Sequence, residues 1–195
     1  GVPFYFYTGK RMQESRSEIV IHFKNVPHRL FSGICPRSSC NELILKVDSP
    51  ESISLKFGLK VPCAEVLAEG TEVALFAIGS MVETAWQVRK KLAEKGIPTA
   101  VVNARFAMPL DKNCLRKLAE SHPLLVTMEE NVASGGFGEH VAAFLEEEAL
   151  HTKVLRIAIP DCFVEHGSVG ELKKALGLDA DSVTEKILAE LPEEL

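Results

Sequence analysis

The chain has 195 residues, of which 46% are hydrophobic, and a formal net charge of −5, which is enough for one buried core with or without a small appendage. It contains no run of about 18 apolar residues for a membrane span and does not begin with the pattern of a signal peptide, so a soluble cytoplasmic protein is expected. The five cysteines form no CxxC pair, which disfavours a disulfide framework or a zinc site.

Charge divides the chain into two parts. Residues 1–60 contain nine Lys or Arg against five Asp or Glu, whereas the remainder is strongly acidic. The positive charges are dispersed among Pro and Ser without a helical stripe or stacking motif, so nucleic-acid binding is not expected. Alternating β-branched residues predict strands at 18–23, 42–47 and 52–57. We therefore expect an irregular linker or small β appendage over 1–60, followed by a domain over 61–195.

From Thr71 onward, strand and helix signals alternate with short connections. This order favours a three-layer α/β domain in which helices flank a mostly parallel sheet. The predicted strands cover 73–78, 99–104, 124–128 and 154–159. The predicted helices run from a Ser80–Glu83 capping box to Lys95 before Gly96, from an Asp111 cap to Ala119, over 139–148, from a Ser168 cap to Gly177, and over 181–190.

Glycines make the stretch VTMEENVASGGFGEHV, residues 126–141, the most constrained part of the sequence. A hydrophobic strand precedes it and an amphipathic helix follows. Gly135, Gly136 and Gly138 permit backbone angles and close approaches that a Cβ would forbid. The stretch therefore predicts a strand–turn–helix corner of the α/β domain.

Anion binding is one function open to this corner, because free N–H groups at a helix start favour negative charge. No Lys follows the glycines, as a phosphate loop would require. Glu129, Glu130 and Glu139 would also repel a phosphate. Tight packing or an interface turn is therefore favoured over ligand binding.

His166 is the best acid/base candidate. It follows the fourth strand, at the edge where open α/β sheets bind ligands, with Asp161 and Glu165 nearby. A histidine that caps the next helix or packs at an interface is the favoured alternative, because no second catalytic group is identifiable. No catalytic, cofactor-binding or metal-ligating residue is assigned. The loop or interface candidates are Glu129, Glu130, Gly135, Gly136, Gly138, Asp161 and His166.

Four blocks of the sequence resemble one enzyme family. They are AEVLAEGTEVALFAIGSMV (64–82), VVNARFAMPLD (101–111), VTMEENVASGGFGEHV (126–141) and IPDCFVEHGSVGELKKALGLDADSV (159–183). From about Pro62 to Leu191, the chain resembles the C-terminal domain of 1-deoxy-D-xylulose-5-phosphate synthase. Transketolase and the β-subunits of 2-oxo-acid dehydrogenases share a looser version of the first and third blocks.

The resemblance implies a transferase that decarboxylates pyruvate on thiamine diphosphate and joins the product to D-glyceraldehyde 3-phosphate, which supplies isoprenoid, thiamine and pyridoxal precursors. In the family, the ligands of thiamine diphosphate and Mg²⁺ belong to the first and central domains, so none is carried over to this chain. The chain is then an inactive structural domain that joins the N-terminal and central domains in a homodimer. The alternatives are a stand-alone binding or regulatory module, or the same domain of a 2-oxo-acid dehydrogenase β-subunit.

The first 60 residues depart from the family pattern. Residues 1–10 are interpreted as a remnant of the central domain. Tyr7, Thr8 and Gly9 stand there in place of an arginine motif for substrate phosphate, and Lys10 is a weak substitute. Residues 11–60 show no family resemblance. A lineage-specific insertion and a stretch translated from an altered reading frame both remain open.

Overall fold

The computed structural model describes residues 6–13, 16–23, 42–46 and 63–192. The strands are β1 (Phe6–Gln13), β2 (Arg16–Phe23), β3 (Glu42–Lys46), β4 (Glu65–Ala68), β5 (Val73–Ala77), β6 (Thr99–Asn103), β7 (Leu124–Val132) and β8 (Lys153–Ile159). The helices are α1 (Met81–Ala93), α2 (Lys112–Ser121), α3 (Phe137–Glu147), α4 (Val169–Ala175) and α5 (Ala180–Glu190). The strand predicted at 52–57 lies outside the described residues.

A three-stranded antiparallel sheet, β1-β2-β3, occupies the N-terminal part of the chain. Phe6 lies opposite Phe23 and Gln13 opposite Arg16 in its first ladder. Two of the strands predicted from β-branched alternation are thus present as β2 and β3. The expectation that this segment is rich in β-structure holds for its described residues.

A second sheet has the strand order β4-β6-β5-β7-β8. Its last four strands in chain order, β5 to β8, are parallel, whereas β4 pairs antiparallel with β6 at one edge. The predicted mostly parallel sheet is confirmed. Strand β4 was not predicted, because a four-residue segment of two exposed and two half-buried residues gives no long alternation.

Helices cover both faces of this sheet and complete the three predicted layers. Helices α1 and α5 supply Val88 and Ile187 to the core on one face, while α2 and α3 supply Leu115 and Phe144 on the other. Every residue of β5 is buried because alternate side chains enter the two cores. The hydrophobic runs that predicted the strands are the result of this burial on both sides.

Most predicted helix boundaries agree with the structure to within two residues. Asp111 caps α2 by accepting a hydrogen bond from the Cys114 N–H, and Ser168 forms a full capping box with Glu171. The Ser80–Glu83 capping box is wrong, because the Ser80 side chain makes no hydrogen bond to the first turn of α1. Its hydroxyl instead donates to a carboxylate far along the chain.

The end of β7 also differs from the sequence prediction. The strand was expected to stop at Met128, but it continues to Val132. Helix α3 then starts at Phe137, so Gly138 lies inside its first turn. Glu129 and Glu130 are therefore strand residues, which fixes the directions of their side chains.

Candidate functional site

The carboxyl ends of the parallel strands meet at one edge of the sheet, and the chain changes direction there. Strand β5 is followed by α1 on one face, whereas its neighbour β7 is followed by α3 on the other. Ligands of open α/β sheets bind at such a switch point. The residues that follow β5 and end β7 therefore form the candidate site.

Glu129 lies at this point, beneath the start of α3. Its side chain faces the core between β7 and α3, and only 2% of the residue is exposed. One carboxylate oxygen accepts a hydrogen bond from the Phe137 N–H at 2.8 Å, and the other accepts from the Gly138 N–H at 2.7 Å. The chain thus fills the helix start with its own negative charge. An external anion would have to displace a buried carboxylate that already accepts two hydrogen bonds.

The three glycines of the corner serve this close packing in different ways. Gly135 has φ of 69°, in the left-handed region that favours glycine. A Cβ on Gly136 would lie 2.3 Å from the Val132 carbonyl oxygen. A Cβ on Gly138 would lie 2.5 Å from the Thr127 hydroxyl oxygen. The geometry therefore agrees with a packing role for the corner.

Glu130 is adjacent in sequence but points to the opposite face. Its carboxylate accepts a hydrogen bond from the Ser80 hydroxyl at the start of α1. The other oxygen forms an ion pair with Lys173 Nζ of α4 at 2.7 Å. The two neighbouring glutamates are thus held by separate partners and do not form an acid/base pair.

The segment that follows β8, residues 161–170, is exposed to solvent, and we call it the open segment. All ten residues from 161 to 170 are exposed, including Asp161, Glu165 and His166. Ser168 ends the loop by donating its hydroxyl and N–H to Glu171, and these hydrogen bonds hold the pKa of the Glu171 carboxyl below its usual value. The structure places no core around His166, and its role as an acid/base or interface residue stays a prediction.

Arg105 is a residue of this edge that the sequence reasoning missed. It follows β6 with φ of 60°, which is uncommon for a residue other than glycine. Its N–H donates to the Asn103 side chain at 3.0 Å, and its guanidinium pairs with Glu65 of β4 at 2.5 Å. An arginine directly after a predicted strand was the signal available in the sequence.

A metal-bound diphosphate needs grouped metal ligands and free N–H donors. In residues 63–192 and the three described N-terminal strands, no three His, Cys, Asp or Glu side chains are grouped to hold a metal ion. The helix start at α3 is occupied by Glu129. These residues therefore do not fit that group. Separately, no helix in the described part of the chain is long and apolar enough to cross a membrane.

A cavity of about 460 Å³ lies at the other edge of the sheet. It is bounded by the start of β7 and β8 and by the end of α5. Its lining is formed by Pro123, Leu124, Lys153, Ala189, Glu190, Leu191 and Pro192. Lys153 Nζ donates a hydrogen bond there to the Glu190 carbonyl oxygen and forms an ion pair with the Glu190 carboxylate. This cavity is separate from the switch point.

The fold defines a domain of the doubly wound α/β class. Residues 63–183 match the family described as transketolase, C-terminal domain. This match covers more than half of the chain. The chain therefore belongs to the transketolase C-terminal domain family.

Two similar proteins are named 1-deoxy-D-xylulose-5-phosphate synthase. The 1-deoxy-D-xylulose-5-phosphate synthase of Lachnoclostridium phytofermentans is 54% identical over 124 residues, which is 63% of this chain and 20% of the relative. The synthase of Shouchella clausii is 35% identical over 176 residues, 85% of this chain and 27% of the relative. The chain thus spans about a fifth to a quarter of these relatives.

A solved structure shares the fold. It is described as "Split gene transketolase, inactive beta4 tetramer" and superposes with a TM-score of 0.64 at 30% sequence identity. The similarity covers 67% of this chain and 43% of that one.

The first part of the chain has a different resemblance. Residues 1–92 match the family described as glucose-6-phosphate dehydrogenase, C-terminal domain. The expectation that residues 11–60 resemble no family is therefore wrong. The match overlaps the transketolase match over residues 63–92. In the structure, β4, β5 and α1 of that overlap are built into the five-stranded sheet and its core. Residues 63–92 thus belong structurally to the α/β domain.

Proposed function

We propose that the chain is the C-terminal domain of a cytoplasmic, thiamine-diphosphate-dependent 1-deoxy-D-xylulose-5-phosphate synthase. The whole enzyme would join pyruvate and D-glyceraldehyde 3-phosphate with loss of CO₂, and so supply isoprenoid, thiamine and pyridoxal precursors. The observation that carries the proposal is the 54% identity to a synthase over the α/β domain. The names of the relatives favour this enzyme over a 2-oxo-acid dehydrogenase and over a stand-alone binding module.

The role proposed for this domain is structural. The groups at the switch point support it, because each is already used inside the domain. Glu129 caps α3, and Glu130 joins α1 to α4. The groups that bind thiamine diphosphate and Mg²⁺ are proposed to belong to the N-terminal and central domains of the enzyme. Alone, this chain is then inactive.

Association with a second copy is the finer part of the proposal. The split-gene transketolase that shares the fold is described as a tetramer of β chains. A chain of this fold can therefore assemble with copies of itself. We expect this chain to form a homodimer, both alone and within the synthase.

Pyruvate-dependent CO₂ release tests the proposed enzyme role. The chain alone, supplied with thiamine diphosphate, Mg²⁺ and D-glyceraldehyde 3-phosphate, is expected to show no turnover. The same assay is then run with the Lachnoclostridium phytofermentans synthase truncated before its own C-terminal domain. Adding this chain is expected to restore turnover to the truncated enzyme. Turnover by the chain alone, or no gain on mixing with a truncated enzyme that is shown to be folded, contradicts the proposal.

We further infer that residues 11–60 are a real part of the gene and are not translated from an altered reading frame. A family match covers residues 1–92, and the alignment to the Shouchella clausii synthase covers 85% of this chain, so both extend into this segment. Sequencing the genomic DNA and the transcript across residues 11–60 is the test. One continuous frame in both supports the inference, whereas a shifted frame in this stretch contradicts it.

A further inference from the structure

Residues 161–176 comprise the open segment, α4 and the residue that ends this helix, and we call them the strap. All ten residues of the open segment are exposed, and α4 has no buried residue. Even Phe163 is 94% exposed. Helix α5, which follows the strap, instead buries Val183 and Ile187 in the core. Because burial of apolar side chains is the main stabilising contribution in a fold, the strap is held more weakly than α5.

The hydrogen bonds that shape α4 are local. The Leu172 N–H donates to the Ser168 carbonyl oxygen at 3.0 Å, and the Leu176 N–H donates to the Leu172 carbonyl oxygen at 2.9 Å. The capping box between Ser168 and Glu171 is also internal to the strap. Detaching the strap would therefore leave the hydrogen bonds of the sheet intact. A helix of seven residues is too short to be stable alone in water, so a detached α4 would unfold.

The strap is attached to the rest of the domain through α4. Lys173 Nζ forms an ion pair with the Glu130 carboxylate of β7 at 2.7 Å. That carboxylate also accepts a hydrogen bond from the Ser80 hydroxyl at the start of α1. Leu176 packs, half-buried, against the core. Among the described elements, α5 packs closely against α1 and β8, whereas α4 packs closely against none. The Lys173–Glu130 ion pair is therefore the principal link between the strap and the sheet.

Both ends of the strap join structure that is well fixed. Strand β8 ends at Ile159, which lies opposite Val132 of β7. At the other end, the Gly177 carbonyl oxygen accepts a hydrogen bond from Lys186 Nζ of α5 at 3.0 Å. Leu178, the next residue, is only 2% exposed. Unfolding of the strap can therefore stop at these two boundaries without spreading into the core.

From these features we infer that the strap is a local unfolding unit, which opens while the α/β domain stays folded, and that the Lys173–Glu130 ion pair is its latch. In the closed form, Lys173 contacts the Glu130 carboxylate at the switch point. In the open form, this carboxylate and the Ser80 hydroxyl lose that neighbour at the edge where doubly wound sheets bind ligands. The strap thus limits access to the switch point. The inference goes beyond the proposed enzyme role and does not depend on it.

Native-state hydrogen–deuterium exchange of the full 195-residue chain tests the inference, with mass spectrometry as the readout. After correction for intrinsic rates, the amides of α4 are expected to exchange at least about tenfold faster than those of α5. Lys173→Met removes the latch and is expected to speed exchange in α4 about fivefold, with α5 unchanged. Lys174→Met is the matched control, because Lys174 is the exposed next residue of the same helix. It is expected to change exchange in α4 by less than about twofold.

Two further measurements separate the latch from a general weakening of α4. Glu130→Gln removes the same ion pair from the other side, so its effect on α4 should equal that of Lys173→Met. Raising the salt concentration from about 0.05 M to about 1 M screens the ion pair and should speed exchange in α4 of the wild type. The same change should have little effect on α4 of Lys173→Met, which has no latch to screen.

Two results overturn the inference. One is exchange of α4 at the same rate as α5, which would mean that the strap opens only when the whole domain unfolds. The other is equal exchange of α4 in the Lys173→Met and Lys174→Met variants. Exchange in α5, recorded in the same spectra, shows whether each variant is folded. Restored turnover is measured independently, so failure of this inference is distinguishable from failure of the enzyme proposal.

Discussion

The β7–α3 corner and the open segment after β8 lie at the same edge of one sheet but are built in opposite ways. In the corner, a carboxylate is buried and the glycines leave no room for a Cβ. In the open segment, even a phenylalanine is almost fully exposed. Both segments contain motifs that resemble one family. The difference teaches that a family motif can serve internal packing in one loop and leave its side chains exposed to solvent in the next.

The largest expected effect breaks the packing of the corner. Gly136→Val places side-chain atoms against the Val132 carbonyl oxygen and the Glu129 carboxylate. Neither the backbone nor a buried, hydrogen-bonded carboxylate can move away easily. We therefore expect a loss of about 3 kcal/mol or more in the free energy of unfolding. Urea denaturation measures the loss.

Gly170 offers the matched control in the open segment. A Cβ there meets nothing within 4 Å, and the residue lies in α4. Gly170→Ala is expected to stabilise by about 0.5–1 kcal/mol, because alanine favours the helix. Equal effects of the two substitutions would show that the corner is no more tightly packed than the open segment.

Removing the buried carboxylate is expected to have the next largest effect. Glu129→Ala leaves the Phe137 and Gly138 N–H groups without their acceptor, and hydrogen bonds to a charged group contribute about 1.5–3 kcal/mol. We expect a loss of about that size in urea denaturation. Glu147→Ala, at an exposed position near the end of the same helix, is the control and should be nearly neutral. A neutral Glu129→Ala would show that the carboxylate does not stabilise the helix start.

Asp179 shows where the packed structure resumes after the open segment. It caps α5 by accepting hydrogen bonds from the Asp181 and Ser182 N–H groups. Asp179→Ala is expected to cost about 1 kcal/mol of unfolding free energy at pH 7. A smaller or absent loss would indicate that α5 is held by its core contacts alone.

The same cap predicts a pH dependence. Burial opposes the charge of Asp179, but hydrogen bonds from Ser182 prevail and hold its pKa below the usual value. A lowered folded-state pKa means that the contribution is present above the ordinary aspartate pKa of about 3.9 and is lost as the pH falls through the lowered value. Asp179→Asn keeps an acceptor but does not titrate. The stability difference between wild type and this variant should therefore shrink in acid.

The smallest effect is on reactivity and leaves stability unchanged. Burial, together with the nearby Asp111 carboxylate, raises the pKa of the Cys114 thiol to about 11. Cys162 lies exposed in the open segment. Iodoacetamide at neutral pH should therefore modify Cys162 at least about tenfold faster than Cys114. Peptide mass mapping over time measures both rates, and similar rates would show that the segment is covered in solution.

Sequence patterns predicted the layers of the α/β domain but not all of its contacts. Buried parallel strands appear as hydrophobic runs, and caps such as Asp111 and Ser168 act over three residues, so both are local signals. Strand β4 was missed because a short edge strand lacks a long pattern. The Ser80 capping box failed because the hydroxyl bonds to Glu130, which is 50 residues away. Such a contact depends on the finished sheet.

The candidate site was predicted in part. Sequence located the glycine corner and favoured packing there, but it ended the strand at Met128 and placed Glu129 only among the loop or interface candidates. Its role as a cap requires that β7 continues past Met128 and that the chain then turns back, so that the start of α3 lies over Glu129. Arg105 was missed because its position after a strand is only a weak signal, and its φ of 60° cannot be inferred from the residue type. For residues 1–60, the alternation of β-branched residues located β2 and β3, while the similarity to another family was found only by comparison.

The adjacent glutamates of β7 have a consequence for how this domain tolerates change. Because successive strand residues face opposite sides, Glu129 serves α3 while Glu130 serves α1 and α4. A shift of the strand by one residue would exchange the two carboxylates and bury a charge without its donors. The two glutamates thus fix the register of β7. A single-residue insertion or deletion before Glu129 should therefore destabilise the domain far more than a substitution of Glu129 or Glu130.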